Sequence, residues 1–238
     1  MRTYRTTTGP FTERPYYTLD EVEQICADEL RKVGLFPQEP EPIRIDRFIE
    51  KRFEVVPKYE DLPEDLLGCT KFGPKGVQEI IVSRSLAEEN NKVSERRINT
   101  TLAHEAGHGL LHAHLFVVGQ QPRSLFGDGL DPKEPKILCR KDTIEGIQDS
   151  KRFNRPVPWW EFQANLAIGG LLLPRQLVII VLEPFMVGKG QLGIKVLDPV
   201  HKENAMRELV EVFDVNPIVA RIRIEKIFPS AQEQQLTL

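Results

Sequence analysis

Apolar residues recur at helical intervals in the first well-patterned stretch. Leu19, Val22, Ile25, Cys26, Leu30 and Val33 fall on one side of a helix that begins after Thr18. Thr18-Leu19-Asp20-Glu21 has the spacing of a capping box, and Gly34 suits the helix end. Pro37, Pro40 and Pro42 mark a linker, after which Ile45, Phe48 and Ile49 share one side of a short helix over 45–51. The pattern then changes. Segments 67–72 and 77–83 flank Gly73-Pro74-Lys75-Gly76, which is β-hairpin chemistry. A long helix is expected over 94–116. The segment 119–157 is polar and broken by Pro122, Gly127, Gly129, Pro132 and Pro135, with one strand-like piece at 137–140. A connection this long is a lid, a substrate element or an insertion. Pro158 opens a helix over 159–173, which Pro174 ends or kinks, and another apolar helix follows over 176–182. Residues 187–193 read as a glycine-bearing loop. Asp198-Pro199 and Asn216-Pro217 then open two final helices, 200–213 and 217–227.

Composition narrows the class. With 238 residues, 40% of them apolar, the chain can bury one core large enough to hold a preformed site. The formal charge of -3, from 32 basic and 35 acidic residues, gives no electrostatic case for direct nucleic-acid or membrane binding. Cys26, Cys69 and Cys139 are far apart and form no C-x-x-C pair, which speaks against a zinc ribbon or a disulfide framework and fits a reducing compartment. The apolar runs at 166–173 and 177–182 are too short to span a bilayer. Residues 1–17 lack an apolar core and read as a flexible arm, not a signal peptide. The expected organisation is therefore an arm (1–17), a main domain (18–197) carrying the 119–157 insertion, and a C-terminal helical hairpin (198–238) packed on it. Cytoplasmic residence is the expectation.

The chemistry concentrates on the long helix. Four of the five histidines lie between 104 and 114, and the first two belong to His104-Glu105-Ala106-Gly107-His108. Positions i and i+4 of a helix lie about 40° apart around the axis and about 6 Å along it, so both imidazoles can share one ion. Zinc with three protein ligands keeps a position for water and lowers its pKa toward neutrality. Glu105, beside the first histidine, is then the general base that takes the proton from that water and passes it to the leaving amine. Ala106, Gly107 and Gly109 are small enough to let another element approach closely.

The third ligand is not fixed by spacing. His114 stands where H-E-x-x-H-x-x-G-x-x-H has a histidine, but that pattern needs glycine at 111 and the chain has Leu111. On a continuing helix His114 lies about 15 Å beyond His104, too far to share its ion. Glu161, on the 159–173 helix, is a candidate carboxylate, with Glu145, Asp149 and His201 as rivals.

Residues 97–112, reading Arg-Ile-Asn-Thr-Thr-Leu-Ala-His-Glu-Ala-Gly-His-Gly-Leu-Leu-His, resemble the active-site helix of the ImmA/IrrE family of metallopeptidases, R-x-x-x-T-L-A-H-E-x-G-H-x-x-L-H. Glu161-Phe162-Gln163-Ala164-Asn165, followed by Leu171-Leu172-Leu173-Pro174, is similar to that family's E-x-x-A-N-x-F-A…L-L-x-P block. Less specific likeness extends over about 18–228. Two departures stand out: Ala167-Ile168 replaces the F-A pair, and the 119–157 insertion lengthens the path from His108 to Glu161. The resemblance implies Glu161 as third zinc ligand. It also implies an α+β, gluzincin-like fold in which a small antiparallel sheet packs on the zinc helix and the rest is mostly helical. The activity it implies is limited, regulatory proteolysis of a protein substrate, a helix-turn-helix repressor in particular.

Other residues carry weaker signals. His112, a turn beyond His108, either bonds behind the ligands, lines the cleft or simply packs. Cys139 reads as a buried strand cysteine, and Arg96 and Arg97 as members of an ion pair on their own helix. For the oxyanion, His112, His201, Tyr16, Tyr17 and Arg140 are all open as partners. The last two helices have helix-turn-helix spacing with Arg221, Arg223 and Lys226 on the second, but that helix lacks a dense basic face and reads as an αα-hairpin. The competing functional reading is a metal-containing regulator that binds DNA or a repressor without cleaving it.

Overall fold

The computed structural model describes residues 2–5, 11, 13–117, 136–140, 158–189 and 194–229. Apart from 136–140, the 119–157 insertion lies outside them, and with it Glu145 and Asp149.

Helix α1 (Leu19–Lys32) starts at the expected capping box: Glu21 N–H donates to Thr18 Oγ1 at 3.2 Å and Thr18 N–H to Glu21 Oε2 at 2.8 Å. Helix α2 (Ile45–Phe53) buries Ile45, Phe48 and Ile49, the three residues its periodicity selects. The central sheet holds β3 (Lys58–Glu60), β4 (Leu66–Gly73), β5 (Gly76–Ser83) and β6 (Lys136–Arg140) in the order β3-β5-β4-β6. The β4–β5 turn closes at Gly76 with φ +110°, a conformation that favours glycine. β4 pairs antiparallel with β5 and β6, but β3 runs parallel to β5, so the sheet is mixed and not wholly antiparallel. The three-residue β3 is too short to carry a sequence pattern.

Helix α3 (Arg84–Glu88) leads into the long helix α4 (Lys92–Leu111), capped by Asn91, whose Oδ1 accepts from Val93 and Ser94 N–H at 2.9 Å each. The expected run to 116 is interrupted: His112 leaves helical geometry at φ -121°, and α5 (Ala113–Val117) starts afresh. Helix α6 (Trp159–Leu172) packs along α4 and α1, and α7 (Arg175–Leu182) follows the Pro174 break. The α4–α6 approach depends on Gly107, where a Cβ would lie 2.8 Å from Ala167 Cβ and 3.1 Å from the Ala164 carbonyl oxygen.

The loop expected at 187–193 is instead flanked by an antiparallel hairpin, β7 (Met186–Lys189) with β8 (Ile194–Leu197). Helices α8 (Lys202–Phe213) and α9 (Pro217–Ile227) form the C-terminal hairpin, with Asn216 Oδ1 accepting from Ile218 N–H at 3.0 Å. Leu209, Phe213, Ala220 and Ile224 belong to the same core as Val22, Leu102 and Leu171, so the hairpin is packed on the body. Arg223 points inward: it is 2.7 Å from Glu23 on α1 and donates to the Leu173 carbonyl at 2.9 Å. Within the stretch read as an arm, β1 (Arg2–Arg5) pairs with β2 (Glu13–Tyr16), and Phe11 is buried in a second cluster with Phe72, Leu115, Ile137 and Trp160. Among the described residues no single helix is long and apolar enough to cross a membrane.

Candidate metal centre

His104 and His108 lie one turn apart on α4 with their Nε2 atoms 3.0 Å from each other. The first turn of α6 brings Glu161 against them, Oε2 3.2 Å from His104 Nε2 and Oε1 3.5 Å from His108 Nε2. Oxygen and nitrogen donors thus converge from two helices, all within 4.8 Å of one another. Their chemistry fits a divalent cation. Two facing ring nitrogens share at most one proton, and Glu161 Oε1 is buried without a hydrogen-bond partner. Ligands about 2.0–2.1 Å from a tetrahedral zinc stand roughly 3.3 Å apart, a value that the three observed separations bracket.

Each histidine is oriented from behind. His104 Nδ1 lies 3.0 Å from Asn165 Oδ1, and His108 Nδ1 lies 3.0 Å from His112 Nδ1. His112 Nε2 in turn lies 2.9 Å from Gln163 Oε1. Burial, reinforced by the neighbouring imidazoles, pushes His108 well below its usual range. Burial pushes His112 down to about 3. For His104 burial also opposes the charged form, but the hydrogen bond and charge of Glu161 outweigh it and the net direction is up.

Glu105 turns from the same helix toward the sheet. Thr70 Oγ1 on β4 donates to its Oε2 at 2.5 Å, and Cys139 on β6 adds a thiol hydrogen bond. Gly68 makes room for this carboxylate, since a Cβ there would lie 2.7 Å from Glu105 Oε1. Burial raises the Glu105 pKa to about 8, against the lowering effects of His104, Thr70 and Cys139. His104, Glu105, His108 and His112 are 0% exposed and Glu161 is 3% exposed, so the centre is closed to solvent as it stands.

The remaining candidates fall elsewhere. His114 is exposed on α5, and His201 is an exposed residue 4.0 Å from Asp198. His112 is held between His108 and Gln163, which leaves it no nitrogen for an oxyanion. Arg96 forms its ion pair across to Asp214 between α8 and α9, at 2.8 Å, not along its own helix. Sequence reasoning missed Asn165, Gln163, Thr70 and Gly68. Asn165 was within reach, because it sits four residues after Glu161 on the same helix face. Gln163 and Thr70 reach the site through hydrogen bonds to His112 and Glu105, and Gly68 through close approach to Glu105, each across segments distant in sequence.

No protein-family model matches the chain, and a search of curated proteins finds no match.

Proposed function

We propose that the chain is a zinc-dependent metallo-endopeptidase of the ImmA/IrrE type that performs limited proteolysis of a protein partner. The observation that carries this reading is the buried His104–His108–Glu161 donor set, with Glu105 on the same helix close enough to His104 and Glu161 to feel their charges. When bound there, zinc supplies Lewis acidity, polarising a scissile carbonyl and making water acidic enough to deprotonate near neutral pH. Glu105 is the group that receives the water's proton and delivers it to the leaving amine. In the metal-free protein burial holds this carboxyl at about 8, and a cation bound beside it would draw it down toward the ionised form that a general base requires. Thr70 and Cys139 fix its rotamer. The substrate in this reading is a helix-turn-helix repressor. Cytoplasmic residence belongs to the same reading, since no disulfide joins the three buried cysteines.

The rival, a metal-bearing DNA-binding regulator, loses its best contact. Arg223 is committed to Glu23 and Leu173 and is 3% exposed. The two readings separate on one comparison. Wild type and Glu105→Gln are assayed for zinc by elemental mass spectrometry and for new N-termini in a proteome-derived peptide and protein mixture. About one zinc in each protein, with cleavage by wild type alone, is expected. Absence of zinc from resupplied wild type, or equal cleavage by both, overturns the proposal.

A further inference from the structure

Behind His108 lies a hydrogen-bonded chain whose polarity is dictated from its far end. The Pro15 carbonyl, on β2, is an acceptor only. Gln163 Nε2 donates to it at 2.8 Å. Turning the Gln163 amide over would set two oxygens against each other, so its Oε1 must face His112, 2.9 Å away. His112 Nε2 then carries the proton, and in the neutral ring Nδ1 is left as an acceptor. The atom 3.0 Å from it, His108 Nδ1, must therefore be the donor. A neutral imidazole with its proton on Nδ1 has its lone pair on Nε2, the atom facing His104 and Glu161.

We propose that His112 and Gln163 are positioning residues of the metal centre, holding His108 in its metal-binding tautomer, with the Pro15 carbonyl setting the sense of the chain. The β1–β2 hairpin is thereby tied to the centre through the Pro15 carbonyl. His104 is served separately by Asn165, so the chain acts on one ligand alone. His112, Gln163 and Pro15 are all buried, which keeps water from supplying a substitute partner.

This inference rests on reading His104, His108 and Glu161 as a zinc site, and its test tells the two apart. Zinc affinity is measured on the full chain by competition with a chromophoric chelator, alongside the visible spectrum of the cobalt(II) form. His112→Phe keeps bulk but offers His108 no acceptor, and is expected to weaken zinc binding about 10–100-fold and to shift the cobalt bands. His112→Gln again offers an oxygen to the Nδ1 proton and is expected to recover most of the affinity. Gln163→Leu lets His112 turn its donor toward His108 and is expected to weaken binding about tenfold. Circular dichroism of the metal-free variants checks folding, and Gln163→Leu decides the matter if His112→Phe does not fold. Wild-type affinity in the folded variants, with wild type binding zinc, overturns the proposal. A wild type that binds no zinc removes the metal reading beneath it.

Discussion

Thr70 Oγ1 donates to Glu105 Oε2 at 2.5 Å, joining the middle of the central sheet to the residue that follows the first histidine. A hydrogen bond to a buried charged group contributes about 1.5–3 kcal/mol and favours the ionised carboxylate. Thr70→Val keeps the shape and removes the donor. The expected result is unchanged zinc content, a Glu105 pKa higher than in wild type, and an acid limb of the pH–rate profile moved to higher pH. Zinc analysis and pH-dependent peptide cleavage check it. A profile that does not move would separate Thr70 from the proton chemistry.

Glu105 also gives the metal-free protein a pH signature. Its folded pKa of about 8 lies above the ordinary 4.5, because burial disfavours the anion. Between those values the folded state holds a proton that the unfolded state has released. The contribution is fully present below the ordinary value and is lost as pH rises through about 8. His108 and His112, pushed down by burial, act in the opposite sense, and their contribution disappears only below about pH 6.5. His104, raised, has the same sign as Glu105, so the signal is read as a difference between proteins. From about pH 7 to about pH 8.5 the Tm of metal-free wild type is expected to fall more than that of Glu105→Gln. Parallel curves would mean that Glu105 is ionised in the fold.

The contact between α4 and α6 sets the distance from the histidines to Glu161. Gly107→Ala places a methyl 2.8 Å from Ala167 Cβ and 3.1 Å from the Ala164 carbonyl, so α6 must shift. Overpacking of this kind costs about 1–3 kcal/mol. At this chain length each kcal/mol lowers Tm by roughly 2–4 °C. Since Ala164 is one turn from Glu161, the shift also spoils the ligand geometry, and zinc affinity is expected to fall with stability. Calorimetry and chelator competition on the same samples check it. A lower Tm with unchanged affinity would show that Glu161 absorbs the displacement.

Much of this arrangement was legible in the sequence because it is local. The capping box at Thr18, the i, i+4 pair His104 and His108, and the Asn216-Pro217 start are each decided within one helical turn. The small residues around the motif foretold a close helix contact, which Gly107 makes with α6. Glu161 stood among several acidic candidates until the family resemblance selected it, and α6 folding against α4 brings it to the histidines. What stayed hidden is non-local. The parallel pairing of β3, the placing of Pro15 behind Gln163, and the break at His112 depend on contacts between distant segments. The inward turn of Arg223 is similar, since a helical arginine reads as solvated until its partner Glu23 is known.

That buried pair makes the last prediction. Arg223 and Glu23 face each other at 2.7 Å with side chains 3% and 11% exposed, and Arg223 also donates to the Leu173 carbonyl. Removing one member of such a pair leaves an uncompensated charge and costs about 3–5 kcal/mol. Arg223→Met should therefore lower Tm sharply, and so should Glu23→Leu, while the double substitution should recover part of the loss because neither charge is stranded. Arg221, exposed on the same helix, should be silent on stability when changed to alanine. Thermal melts of wild type, the two single variants and the double variant give the coupling. Gel shifts at low salt address the rival DNA-binding reading through Arg221, the arginine that is free to reach a phosphate. Loss of a wild-type shift in Arg221→Ala would favour that reading, and absence of any shift would leave the hairpin a structural cap on the metal-bearing body.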